Sequence, residues 1–131
     1  MPSHILVLNW NSGTETTECL QNLVDCKVRA KFVVADNASS DDSVTRVLSW
    51  AESHSLRTLR VHECEVESYP AVVDDYDLVI IQNAANHGFA GGNNTAIRFA
   101  ASRCEDGFVW LLNNDARINE LTLPAIVARF S

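Results

Sequence analysis

Short apolar runs, each ending in polar residues, punctuate the chain. Ile5-Leu6-Val7-Leu8 ends in Asn9-Trp10-Asn11, and Phe32-Val33-Val34-Ala35 ends in Asp36-Asn37-Ala38-Ser39-Ser40-Asp41. Leu78-Val79-Ile80-Ile81 runs into Gln82-Asn83, and Gly107-Phe108-Val109-Trp110-Leu111-Leu112 into Asn113-Asn114-Asp115. Such runs read as buried strands. The pattern predicts strands at about Ile5–Asn9, Lys31–Ala35, Leu56–His62, Leu78–Gln82 and Phe108–Leu112. Between them the apolar spacing is helical. A helix is predicted at about Thr14–Asp25 with Leu20, Leu23 and Val24 on one face. A second spans about Asp41–Ser53, capped by Ser40 or Asp41, with Val44, Val47, Leu48 and Ala51 inward. A third starts near Gly92 with Ile97, Ala100 and Ala101 inward. A last one covers about Leu121–Phe130, with Pro124 tolerated in its first turn. The acidic stretch from Glu63 to Asp77, with Pro70 in its middle, reads as a loop holding one short helical turn. Strand–helix alternation implies an α/β, Rossmann-like domain: a mostly parallel sheet with right-handed crossovers and helices on both faces.

A length of 131 residues suits one domain. The net charge of −7 argues against nucleic acid and anionic membrane surfaces as partners, since both require a basic patch. It leaves room for a nucleotide whose phosphates are bridged to a carboxylate by a divalent cation. Cys19, Cys26, Cys64 and Cys104 match no zinc spacing and read as buried free thiols, which places the chain in a reducing cytoplasm. No apolar run approaches the roughly 20 residues that span a bilayer. His4, His54, His62 and His87 make no ligand pair and read as surface residues, although His87 is placed to touch a ligand. Trp10 is positioned to stack on a base, whereas Trp50 and Trp110 read as core by periodicity.

If the strands are parallel, their polar ends meet at the carboxyl edge of the sheet, where open α/β folds bind ligands. Three groups there carry candidate chemistry, and each also has a plainer reading. Asp36 at the end of the second strand can accept hydrogen bonds from a ribose or base, or form a turn into the next helix. Gly88-Phe89-Ala90-Gly91-Gly92-Asn93 can bring backbone N–H groups to a phosphate at a helix N-terminus, or simply wrap a buried Phe89. It is neither a Walker loop nor the GxGxxG fingerprint. Asn113-Asn114-Asp115 supplies hard oxygen ligands suited to Mg²⁺ or Mn²⁺ with substrate phosphates, or an Asx turn leaving the strand.

Taken in order, Val7-Leu8-Asn9-Trp10-Asn11, Asp36-Asn37-Ala38-Ser39-Ser40-Asp41, Asn86-His87-Gly88-Phe89-Ala90-Gly91-Gly92-Asn93-Asn94 and Leu111-Leu112-Asn113-Asn114-Asp115-Ala116 resemble the family 2 glycosyltransferases of GT-A fold, especially their rhamnosyltransferase-like branch. The resemblance runs from residue 5 to about residue 120. It implies a UDP- or dTDP-linked sugar donor, with Asn9, Trp10, Asn11, Asp36 and Asn37 at the base and ribose. Gly88, Gly92 and Asn93 then line the donor pocket. Asn113-Asn114-Asp115 stands where the family has its DXD-type motif, with Asp115 as ligand to Mg²⁺ or Mn²⁺. The first position is Asn, so Asp115 must supply most of the negative charge. The family's chemistry is inverting transfer to a hydroxyl of a glycan or lipid-linked acceptor, which agrees with a cytoplasmic location, at the inner face of a membrane included. The family's catalytic base lies well after the DXD-type motif, and Glu120 is the last acid here, so the base is expected beyond Ser131. Residues 1–131 then form a single nucleotide-sugar-binding domain, the donor-binding half of a larger fold. The alternative is a noncatalytic nucleotide- or metal-binding remnant, or an interaction domain. A Rossmann-type dinucleotide enzyme is disfavoured by the missing glycines after the first strand.

Overall fold

The computed structural model describes residues 4–69, 75–103 and 108–129. Pro70, Cys104, Gly107 and Phe130, named above, lie outside the described residues. The elements alternate as β1 (His4–Asn9), α1 (Gly13–Asp25), β2 (Lys31–Asp36), α2 (Ser43–Ser53), β3 (Thr58–His62), a 3₁₀ turn (Glu63–Glu65), β4 (Leu78–Gln82), α3 (Gly88–Ala101), β5 (Val109–Leu112) and α4 (Thr122–Ala128). The 3₁₀ turn is the short helical turn expected after the third strand. Among the described residues no helix is long and apolar enough to cross a membrane.

The five strands form one sheet in the order β3-β4-β2-β1-β5, and every pairing is parallel. Strands buried on both faces cannot alternate apolar with polar, which is why the sequence shows continuous apolar runs. Ile5, Val7, Phe32, Val34, Leu78 and Ile80 point to one face, where Cys19, Leu20 and Leu23 of α1 and Val47 of α2 cover them. Leu6, Val33, Ala35, Val79 and Ile81 point to the other, under Ala96, Phe99 and Ala100 of α3. The register sets Asn9 beside Asp36, Asp36 beside Gln82, and Gln82 beside His62. The polar strand ends therefore do share one edge.

Four expectations need correction. The third helix begins at Gly88, not near Gly92, so its glycines lie in the first turns of a helix. Gly88 has a positive φ of 74°, but Gly92 serves packing: a Cβ there would sit 2.6 and 2.7 Å from the Asn37 amide and 2.7 Å from Leu8 Cδ1. Ala101 is exposed, and Ala96 and Phe99 fill the inward face in its place. His4 is buried, because its Nε2 meets the Tyr76 hydroxyl at 2.8 Å. Cys64 is exposed on the 3₁₀ turn, while Cys19 is buried and Cys26 half-buried; all three thiols are free.

Gly92→Ala should lower stability by about 1–3 kcal/mol, the usual cost of overpacking. Alanine's helix preference over glycine, about 1 kcal/mol, works the other way. The clash wins because Asn37 is buried and pinned by several hydrogen bonds. Thermal or urea unfolding measures this, and an unchanged midpoint would contradict so close a helix–sheet contact.

Candidate functional site

At the carboxyl edge, the ends of β1 and β5 and the first turn of α3 enclose a recess of about 360 Å³. Trp10, Asn93, Asn113, Asn114 and Asp115, all singled out from the sequence, line it. Ser12, Phe89 and the leucines 8, 111 and 112 complete the walls. Trp10 and Phe89 are 52% and 63% exposed, so both rings are free to meet a planar or sugar ring. Phe89 is thus not the buried centre of a loop. Asn93 is buried at the recess and donates to the Phe89 carbonyl across one helical turn, at 3.1 Å.

After β5 the chain closes a tight turn in which the Ala116 amide donates to the Asn113 carbonyl at 2.9 Å. Asn113 and Asp115 are exposed and Asn114 is half-buried. The chain then lies along α1. Asn22 donates to the Ile118 carbonyl at 3.0 Å and accepts from its amide at 2.8 Å, and Arg117 pairs with Glu18 at 3.2 Å. These contacts fix the direction in which Asp115 leaves the sheet. Among the described residues no group of three or more His, Cys, Asp or Glu side chains is placed to hold a metal ion. One exposed carboxylate flanked by amides fits a cation that arrives with a diphosphate, because Mg²⁺ is commonly held by one or two carboxylates plus substrate phosphates.

The other sequence-derived residues lie behind the recess. Asp36 is only 3% exposed. Its Oδ1 accepts from Asn9 Nδ2 at 2.8 Å and from the Ser39 hydroxyl at 2.6 Å, and its Oδ2 accepts from the Ser39 amide at 3.1 Å. Asn11, at a left-handed φ of 48°, accepts from the Ser40 amide at 2.8 Å and donates its own amide to Ser39 Oγ at 2.9 Å. Buried Asn37 ties three elements together. Its Oδ1 accepts from Asn83 Nδ2 at 3.0 Å, and its Nδ2 donates to the Gly88 carbonyl at 3.0 Å and to Asn86 Oδ1 at 3.2 Å. Asp41 accepts from both the amide and hydroxyl of Ser43, which holds its carboxyl below the ordinary 3.8 and closes the start of α2.

Three further polar residues join this network that the motifs did not single out. Thr16 is fully buried; it donates to Asn9 Oδ1 at 2.6 Å and accepts from Asn114 Nδ2 at 3.2 Å. Asn83 and Thr95 are buried and bonded to each other at 2.9 Å. The signal for Thr16 was its place on the same helical stripe as Leu20 and Leu23, where an apolar residue is the default. A second recess, about 560 Å³, lies at the ends of β3 and β4. Its carboxylate, Glu63, is already tied to the Ala84 amide at 2.9 Å and to His87 at 2.5 Å, and that amide, then His87, holds its carboxyl below the ordinary 4.5.

The model of the family described as Glycosyl transferase family 2 matches residues 4–131. A low-salt glycan biosynthesis hexosyltransferase of Haloferax volcanii is 27% identical over 116 residues, which cover 88% of this chain and 28% of the relative. Among solved structures, a mannosyltransferase from Pyrobaculum calidifontis in complex with GDP-Man and Mn²⁺ aligns with a TM-score of 0.70 and 24% identity, over 96% of this chain and 31% of its own. TarS from S. aureus, in complex with UDP, aligns with a TM-score of 0.61 and 22% identity, over 98% of this chain and 31% of its own. The sheet and its flanking helices thus match GT-A glycosyltransferases. The chain spans about 30% of the length of these proteins.

Cys19 reports on this corner of the fold. Burial pushes its thiol up to about 11, Arg117 opposes that shift and Asp115 adds to it. A thiol pushed up in this way stays protonated near neutral pH, and the thiolate is the reactive form. Alkylation with iodoacetamide, read by peptide mass, should modify exposed Cys64 early and Cys19 only after denaturant is added. Equal rates in the native protein would contradict the packing of α1 against the Asn113 turn.

Proposed function

This chain belongs to glycosyl transferase family 2, and from that premise we propose that residues 1–131 form the donor-binding half of a glycosyltransferase. One observation carries the reading: the recess at the carboxyl edge gathers Trp10, Asn93, Asn113, Asn114 and Asp115 from three separate elements. The donor is a UDP- or dTDP-linked sugar, and the reaction is inverting transfer to a hydroxyl of a glycan or lipid-linked acceptor, as in the rhamnosyltransferase-like branch. The neighbours in complex with GDP-Man and Mn²⁺ and with UDP support a nucleotide donor and a divalent cation.

Each residue has a part in this reading. Asp115 would hold Mg²⁺ or Mn²⁺ together with the donor diphosphate, and the cation would supply neutralisation of charge on the leaving group. Asn113 and Asn114 direct polar groups to the same place. Trp10 offers a face to the base. Asn9, Asn11 and Asn37 do not line the recess; they hold the nucleoside side of the edge in place through their hydrogen bonds. Asp36 Oδ2 has one internal partner, the Ser39 amide, and keeps acceptor capacity for a nucleoside N–H or hydroxyl. Gly88 sets the positive φ at which α3 begins, and Gly92 lets the helix settle on Asn37, so Asn93 reaches the recess.

Titration calorimetry tests the reading with UDP, dTDP and GDP, each in Mn²⁺ and in EDTA, on the wild type and Asp115→Ala. UDP or dTDP should bind the wild type about tenfold more tightly with Mn²⁺, equivalent to about 1.4 kcal/mol. Asp115→Ala should lose that gain and keep the metal-free affinity. Equal affinities in all conditions would remove the metal from the account, and no binding of any nucleotide would remove the donor site.

A further inference from the structure

The hydrogen bonds behind the recess form one directed chain. Asn114 Nδ2 donates to Thr16 Oγ1 at 3.2 Å, Thr16 donates to Asn9 Oδ1 at 2.6 Å, and Asn9 Nδ2 donates to Asp36 Oδ1 at 2.8 Å. Ser39 Oγ donates to the same Asp36 oxygen at 2.6 Å. Every donor points toward the buried carboxylate. The order is chemically forced: an ionised Asp36 only accepts, so Asn9 must turn its NH₂ to it and its oxygen to Thr16. Thr16 has one hydroxyl proton, spent on Asn9, so it must accept from Asn114. Bonds aligned head to tail in a poorly solvated interior polarise one another. The chain starts beside Asp115 at the β5 turn and ends at Asp36, at the carboxyl end of β2.

We infer that Thr16 is a positioning residue that couples the metal–diphosphate end of the donor site to its nucleoside end, through the Asn114–Thr16–Asn9–Asp36 chain. Thr16 lies on α1, has no exposed surface and does not line the recess, so it acts through its neighbours. The inference rests on the donor-site reading. Partners that orient a metal's ligands commonly affect its affinity by 10–100-fold. Thr16→Val keeps the shape and removes the hydroxyl. Thr16→Ser keeps the hydroxyl.

The test has two arms. Calorimetry with UDP in Mn²⁺ and in EDTA should show Thr16→Val losing about tenfold in Mn²⁺-dependent affinity, with metal-free affinity within about twofold of wild type. Thr16→Ser should restore the gain, which a merely structural role does not predict. The second arm needs no variant. Mg²⁺ with pyrophosphate, a probe that carries no nucleoside, should shift the side-chain amide signals of Asn9 and the backbone amide of Ser39 in wild-type NMR spectra. Loss of metal gain in Thr16→Val with rescue in Thr16→Ser supports the coupling, as do shifts at Asn9 and Ser39. If wild type gains affinity from Mn²⁺ and Thr16→Val gains as much, the coupling alone is overturned. If pyrophosphate shifts only Asn113–Asp115, the coupling is likewise overturned. If wild type binds no nucleotide and shows no response to Mg²⁺ and pyrophosphate, the donor-site reading falls and the coupling falls with it.

Discussion

A carboxylate that is 3% exposed has to be satisfied by its neighbours, and Asp36 sets this condition for the whole carboxyl edge. An unpaired charge at such depth costs several kcal/mol. The parallel register answers it by placing Asn9 of β1 directly beside Asp36, and the turn after β2 answers it again by folding Ser39 back onto both carboxylate oxygens. Once Asn9 is committed to Asp36, its oxygen needs a donor. Thr16 supplies that donor and in turn receives Asn114. One buried charge thus fixes the rotamers of residues on β1, α1, the β2–α2 turn and the β5 turn. The exposed Asp115 projects from an edge whose foundation is rigid.

The second support of the edge is Asn37, which joins the ends of β2 and β4 to the start of α3. It needs α3 to come close, and a glycine at position 92 makes that possible. The buried pair Asn83–Thr95 ties the same helix to the end of β4. A recess built this way has little freedom to shift its walls.

The central strands β1, β2 and β4 were legible because burial on both faces of a parallel sheet leaves unbroken apolar runs, and amphipathic helices leave a stripe. Leu78–Gln82 was read to the residue, and Gly13–Asp25 and Ser43–Ser53 within one or two positions. The glycine segment misled for a physical reason. Glycine weakens a helix, so three of them argue for a loop, yet here Gly92 is required by a helix–sheet contact that no local pattern encodes. His4 is buried by a tyrosine 72 residues away, which spacing cannot reveal. The polar strand ends announced one shared edge, and the fold does place a recess there. They did not announce its internal wiring, because Thr16 looks like any polar residue in a helix until its two asparagine partners are seen in space. The motifs that resemble family 2 marked residues that the fold brings to one recess, and the three-dimensional network adds how the residues at that place are held.

Paramagnetic broadening by Mn²⁺ in the presence of UDP locates the cation most directly. In ¹⁵N-resolved spectra at substoichiometric Mn²⁺, the amides of Asn113, Asn114 and Asp115 and the indole N–H of Trp10 should broaden first, while the amides of α2 stay sharp. Broadening centred on Glu63 and His87, or spread evenly over the acidic surface, would contradict a donor site built at the ends of β1 and β5.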